Sequence, residues 1–142
     1  IKNKRIFVRS LTLLFIVLFS SSLFGHGTII ITNVEHGKGY IDVKIYDSKE
    51  DFLKEDLARE TIRKKATKGK TVVPLSKIHE GQIAIVVYHD EDSDGKLKTG
   101  FLWRPKEGYA FSNNYKPKSP PKFSKASVEL IHGKPIEIEL NY

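Results

Sequence analysis

Three aspartates, Asp90, Asp92 and Asp94, alternate in the stretch His89-Asp90-Glu91-Asp92-Ser93-Asp94-Gly95-Lys96. Carboxylates this close repel one another unless a positive charge sits among them. Their spacing matches the first half of a calcium-binding loop, which has acidic oxygens at positions 1, 3 and 5 and a backbone carbonyl at position 7. A glycine at position 6 makes its sharp turn. Asp90, Asp92, Asp94 and the Lys96 carbonyl are therefore the expected calcium ligands. The bidentate glutamate of position 12 is missing, since Phe101 stands there. The remaining ligands would be waters or downstream residues, with Glu107, Asn113 and Asn114 as candidates. The competing reading is a solvated acidic turn, because Asp, Ser and Gly are ordinary turn formers.

Other residues that carry chemistry are sparse. The histidines are His26, His36, His79, His89 and His132, with no HxH or HExxH pair among them. His36 and His132 adjoin glycines and are expected in exposed turns. His26 becomes the first residue if the chain is cut after Gly25, and an amine and imidazole on one residue can chelate copper(II). No GxSxG elbow, phosphate-binding loop or dinucleotide fingerprint occurs. The absence of cysteine excludes disulfides and thiolate zinc sites.

The first 25 residues carry Lys2, Lys4, Arg5 and Arg9 without an acid, then an apolar run from Leu11 to Phe19, then Ser20-Ser21-Ser22-Leu23-Phe24-Gly25. A basic start, a short apolar stretch and small residues describe a secretory signal peptide. The apolar stretch is short for a bilayer span. We expect residues 1–25 to be removed and 26–142 to act as one domain in the periplasm or outside the cell, with no membrane span. Removing the four N-terminal cations brings the formal charge from +7 to +3. No dense basic cluster with interleaved aromatics is left, which argues against a nucleic-acid partner.

The elements that must position the aspartates read as short strands. Gly27 to Val34 is rich in β-branched residues. Tyr40 to Tyr46 puts Ile41, Val43 and Ile45 on one face, and Glu35 to Gly39 reads as a hairpin loop joining the two strands. Further strands are expected on either side of the turn Thr67 to Lys70. Gln82 to Tyr88 is almost wholly apolar, as a central strand should be. It leads straight into the aspartates. From Asp90 to about Phe123 the chain reads as one long loop, with Phe101, Trp103, Tyr109 and Phe111 either clamping it to the body or meeting a protein or glycan ligand. Ala126 to Leu130 and Ile136 to Leu140 read as a C-terminal hairpin. About seven strands with little helix predict an all-β protein, a single β-sandwich carrying one long loop.

Four segments together carry a resemblance: Gly39 to Ser48 (GYIDVKIYDS), the HDEDSDGKL stretch, Pro105 to Asn114 (PKEGYAFSNN) and Pro120 to Leu130 (PPKFSKASVEL). They resemble the bacterial domain-of-unknown-function family 2141. The resemblance implies a small exported sandwich, immunoglobulin-like or transthyretin-like, with no established activity. An acidic residue often follows Gly-Lys-Leu in that family's pattern, whereas this chain has Lys98. The sequence thus reads as a non-enzymatic binding or structural module that holds calcium. The alternative is a cell-envelope enzyme, with either copper at His26 or Asp90 or Asp92 as a hydrolytic carboxylate.

Overall fold

A computed structural model describes residues 27–96 and 106–142. His26, Lys98, Phe101 and Trp103 lie outside the described residues, as does the expected signal peptide. The described residues form eight strands: β1 (Thr28–Val34), β2 (Tyr40–Tyr46), β3 (Glu60–Lys65), β4 (Gly69–Pro74), β5 (Gly81–Asp90), β6 (Tyr109–Phe111), β7 (Ser127–Leu130) and β8 (Ile136–Glu139). A one-turn helix, α1 (Phe123–Ala126), precedes β7. The protein is all-β, with one strand more than the sequence led us to expect.

The strands form two sheets. One has the order β4-β1-β8, with β1 and β8 parallel. The other runs β3-β2-β5-β6, and β7 takes the stretch of β5 that precedes the β6 pairing. Between the sheets lie Ile29, Ile31, Val73 and Ile138 from the first and Ile41, Val43, Ile45, Ile83, Ile85 and Val87 from the second. These are the alternate residues that the period of two predicts. β5 is apolar throughout for a further reason. Its other face, Ala84 and Val86, is covered by Tyr46, Phe52, Phe111, Phe123 and Ala126 in a second apolar cluster. Phe111 therefore packs within the fold, and Tyr109 meets it edge to face.

Two pairings differ from expectation. β1 and β2 do not form a hairpin: β1 pairs with β4 and β8, β2 with β3 and β5. Nor do β7 and β8 pair, for β7 joins β5 and β8 joins β1. Alternation identifies a strand's buried face but not its neighbour, and a five-residue loop can cross the ~10 Å between stacked sheets as readily as it closes a hairpin. The Glu35–Gly39 segment makes that crossing and so lies over one end of the sandwich. Gly39 is required there. Its φ is +67°, and a β-carbon would run into the carbonyl of Asp90. This close approach brings the 35–39 loop against the start of the aspartate turn.

Candidate metal centre

β5 delivers two consecutive residues to opposite sides of its sheet. His89 turns toward the space between the sheets and Asp90 toward the outer face; neither is accessible to solvent. The pleat dictates this alternation. On the outer face the antiparallel register sets Asp42 of β2 opposite Tyr88 and Arg63 of β3 opposite Asp42. Arg63 Nη1 donates to Asp42 Oδ2 at 2.6 Å, and Nη2 donates to Asp90 Oδ2 at 2.5 Å. The guanidinium carbon lies 4.3 Å from the centre of the Tyr40 ring, within cation–π range. The chain itself thus provides one positive charge beside the first aspartate.

Asp90 also closes the turn. Its Oδ1 accepts the Asp94 N–H at 3.1 Å and its Oδ2 the Gly95 N–H at 2.9 Å. Ser93 and Gly95 adopt φ of 65° and 76°, the left-handed conformations of a tight reversal. Burial pushes the Asp90 carboxyl upward. The Arg63 hydrogen bond, the Gly95 and Asp94 amides and the Arg63 charge overcome that push and hold it below the usual range. Asp42 behaves oppositely: burial raises it, and Arg63 only partly offsets this. The Tyr88 hydroxyl is likewise pushed up by burial, with nearby Asp42 adding to it.

Glu107 completes the cluster. β6 pairs Tyr109 with Tyr88, and the His89 N–H donates to the Gly108 carbonyl at 2.7 Å, so Glu107 comes beside Asp90. One carboxylate oxygen each from Asp90, Asp92 and Glu107 lie within 4.8 Å of one another. Glu107 is buried and Asp92 exposed, so the group opens to solvent on one side. The Glu91 N–H donates to Glu107 Oε1 at 3.3 Å, tying the glutamate to the turn.

The other expected ligands are placed differently. Asp94 stands outside this group, and its Oδ1 accepts the Lys96 N–H at 2.8 Å. Asn113 and Asn114 follow Ser112, whose N–H donates to the Ile85 carbonyl, and they therefore lie near the opposite end of β5. Asn113 Nδ2 donates to the Lys125 carbonyl. The pocket bounded by Phe111, Asn114, Tyr115, Lys116, Glu139 and Asn141 has a volume of about 170 Å³, below the 300–1,000 Å³ usual for small-molecule sites.

Sequence reasoning missed the histidines at this end of the sandwich. His36, expected to be exposed, is half-buried, with Nε2 3.0 Å from Glu91 Oε2. Its Nδ1 accepts the Lys38 N–H at 3.3 Å, so Nε2 carries the proton. His89 Nε2 donates to the Lys38 carbonyl at 2.7 Å, which leaves Nδ1 to accept from the Tyr142 hydroxyl at 2.7 Å. That hydroxyl in turn accepts the Glu35 N–H at 3.1 Å. Tyr142 fits because Gly108 lacks a side chain: a β-carbon there would collide with the tyrosine ring. One signal was available. His89 and Glu91 are two apart at a strand end, and so share a side.

Against known proteins, the profile of the bacterial domain-of-unknown-function family 2141, described as uncharacterised protein conserved in bacteria, matches residues 29–139. Neither the curated proteins nor the solved structures give a significant match. Among the described residues no helix is long and apolar enough to cross a membrane.

Proposed function

The chain belongs to that bacterial family, and from this premise we propose that it is an exported cell-envelope module, binding or structural in role, whose aspartate turn takes calcium. The observation that carries the calcium reading is the convergence of Asp90, Asp92 and Glu107 oxygens within 4.8 Å. Calcium takes six to eight oxygen ligands at about 2.3–2.6 Å. A triangle of carboxylates that size closes on the ion with small side-chain movements, and water fills the exposed side. The ion ties the aspartate turn at the end of β5 to Glu107, which stands just before β6. The partner reading, a protein or glycan met by the long loop, rests on the sequence, since residues 97–105 lie outside the described residues.

Arg63 already neutralises part of Asp90, and position 12 lacks its glutamate. Both argue for weak affinity, on the order of 10⁻⁴ to 10⁻³ M, the range of extracellular modules. Calcium at about ten times the dissociation constant then adds roughly 1.4 kcal/mol to the folded state, a rise in melting temperature of about 3–6 °C. Magnesium does less, because it demands tighter octahedral geometry. Thermal unfolding in chelator and across a calcium titration, for wild type and Asp92→Asn, is the test. A wild-type midpoint that does not move with calcium refutes the site. Export is tested by N-terminal sequencing of the protein from the cell-envelope fraction. The expected start lies between Leu23 and Thr28, and recovery of the intact chain from the cytoplasm refutes it.

A further inference from the structure

A second group of ligand-type side chains lies on the other side of the same strand end, and its chemistry is not that of calcium. His36, His89 and Glu91 each bring one ligand atom within 4.8 Å of the others. We propose that these three residues form a binding site for a divalent transition ion of the zinc type, separate from the carboxylate triangle.

The donor set carries the choice of ion. Imidazole nitrogen suits zinc, copper and nickel, whereas calcium and magnesium take oxygen ligands. Two histidines and one glutamate are a known zinc set when the fourth position is left open to water. Here the opening is built in. His89 is fully buried, while the side chains of His36 and Glu91 are 35% and 33% exposed. The ion would therefore sit at the mouth of the sandwich, with its protein ligands on the inner side and solvent on the outer.

The scaffold around these ligands is rigid where it needs to be. His89 lies on the central strand, and both of its ring nitrogens are hydrogen-bonded, to the Lys38 carbonyl and the Tyr142 hydroxyl. A metal takes one nitrogen and leaves the other bond to fix the ring, the arrangement in which ligand histidines are usually held. His36 sits on the 35–39 loop, which Gly39 allows to lie against Asp90. The His36 and His89 ring centres are 4.7 Å apart at a tilt of 51°, not stacked flat, so their edges can face one ion.

Proton placement is consistent with loading. Without metal, the His36 Nε2–H donates to Glu91 and Nδ1 accepts from Lys38. A metal on Nε2 moves the ring proton to Nδ1 and frees the glutamate oxygen as a ligand. At His36 the contact that must give way is the long one, 3.3 Å, from the Lys38 N–H in an exposed loop, and at His89 the metal replaces one of the two 2.7 Å bonds.

The test uses the full chain, stripped with chelator and dialysed into calcium-free buffer, so that it does not depend on the carboxylate triangle. Zn²⁺ alone is titrated by calorimetry and followed by thermal unfolding, and Co²⁺ is added separately to read the ligand field in its visible spectrum. The expected result is one equivalent of zinc per chain, a raised midpoint, and a tetrahedral cobalt spectrum. His36→Ala and Glu91→Gln should each weaken zinc at least tenfold and abolish the cobalt spectrum, while His132→Ala, in the exposed turn before β8, should match wild type. Both ligand variants change partly exposed side chains, and their unfolding midpoints without metal show that they remain folded. Failure to bind one equivalent overturns the site. So does zinc binding that survives His36→Ala or falls with His132→Ala, since the ion would then be held elsewhere.

Discussion

Replacing Arg63 with Met tests the electrostatics of the turn most sharply, because one guanidinium serves two buried carboxylates. The Asp42 and Asp90 side chains are 4% and 0% exposed, and Arg63 reaches both at 2.6 and 2.5 Å. Met keeps most of the apolar stem and removes the charge. Breaking a buried pair from one side costs about 3–5 kcal/mol, since the partner charge is left uncompensated. Arg63 is itself 36% exposed, and water screens part of the interaction, which places the cost near the lower end, about 3 kcal/mol. For a domain of this size that is a fall of roughly 10–20 °C in melting temperature. The pH dependence gives a second, independent sign. In the wild type Asp90 is held low, so its contribution to stability is present above its unfolded value, near pH 4, and lost as pH falls through its lower folded value. Asp42 is held high, so it opposes folding at neutral pH, and that opposition is relieved as pH falls through its raised folded value. Without Arg63 burial dominates at both sites and both carboxyls rise. The variant should therefore lose least, relative to wild type, as pH falls from 7 toward 4. Urea unfolding of both proteins at intervals across that range measures the difference. A cost below about 1 kcal/mol at pH 7, the level of an exposed pair, or a gap that widens toward pH 4, refutes the reasoning.

Three further substitutions probe packing and buried polarity. Ile85→Ala, at a fully buried position of the inter-sheet core, should cost about 2–5 kcal/mol, whereas Glu137→Ala on the exposed face of β8 should cost under about 0.5 kcal/mol; equal losses in urea unfolding would contradict the register. Ser112 is buried, its hydroxyl accepting the Ile85 N–H at 2.8 Å and donating to the Ala126 carbonyl at 2.5 Å. Ser112→Ala leaves that amide short of a partner and should cost about 1–3 kcal/mol, with faster amide exchange at Ile85, and an unchanged exchange rate would show that the bond does not matter.

The difference between what the sequence discloses and what it withholds follows from the range of each interaction. The strands β2 and β5 are legible because alternation and apolar density are local properties, and Ile41, Val43, Ile45, Ile83, Ile85 and Val87 are all buried as read. The two hairpins are misread because strand pairing is a competition decided by the whole sandwich: Ile136 and Ile138 carry the same apolar pattern whether they lie beside β7 or, as they do, beside β1. The site divides along the same line. Asp90 and Asp92 are two residues apart in the chain, and their grouping follows from turn spacing, with the left-handed φ of Gly95 following from its type. Glu107 is harder, because only the pairing of Tyr109 with Tyr88 brings it back beside Asp90. Arg63 and Asp42 belong to two further strands, and no spacing rule links them to residue 90. His36 reaches Glu91 across 55 residues, carried by a loop whose path depends on Gly39 having no side chain. The positive charge that the aspartate turn demands is therefore a sound inference from local repulsion, and its identity is a tertiary fact. Arg63 supplies one unit of charge to a turn that carries three aspartates, with Glu91 and Glu107 at its edge. The carboxylate oxygens of Asp90, Asp92 and Glu107 nonetheless converge within 4.8 Å of one another, and that convergence is why a divalent ion is the reading to test first.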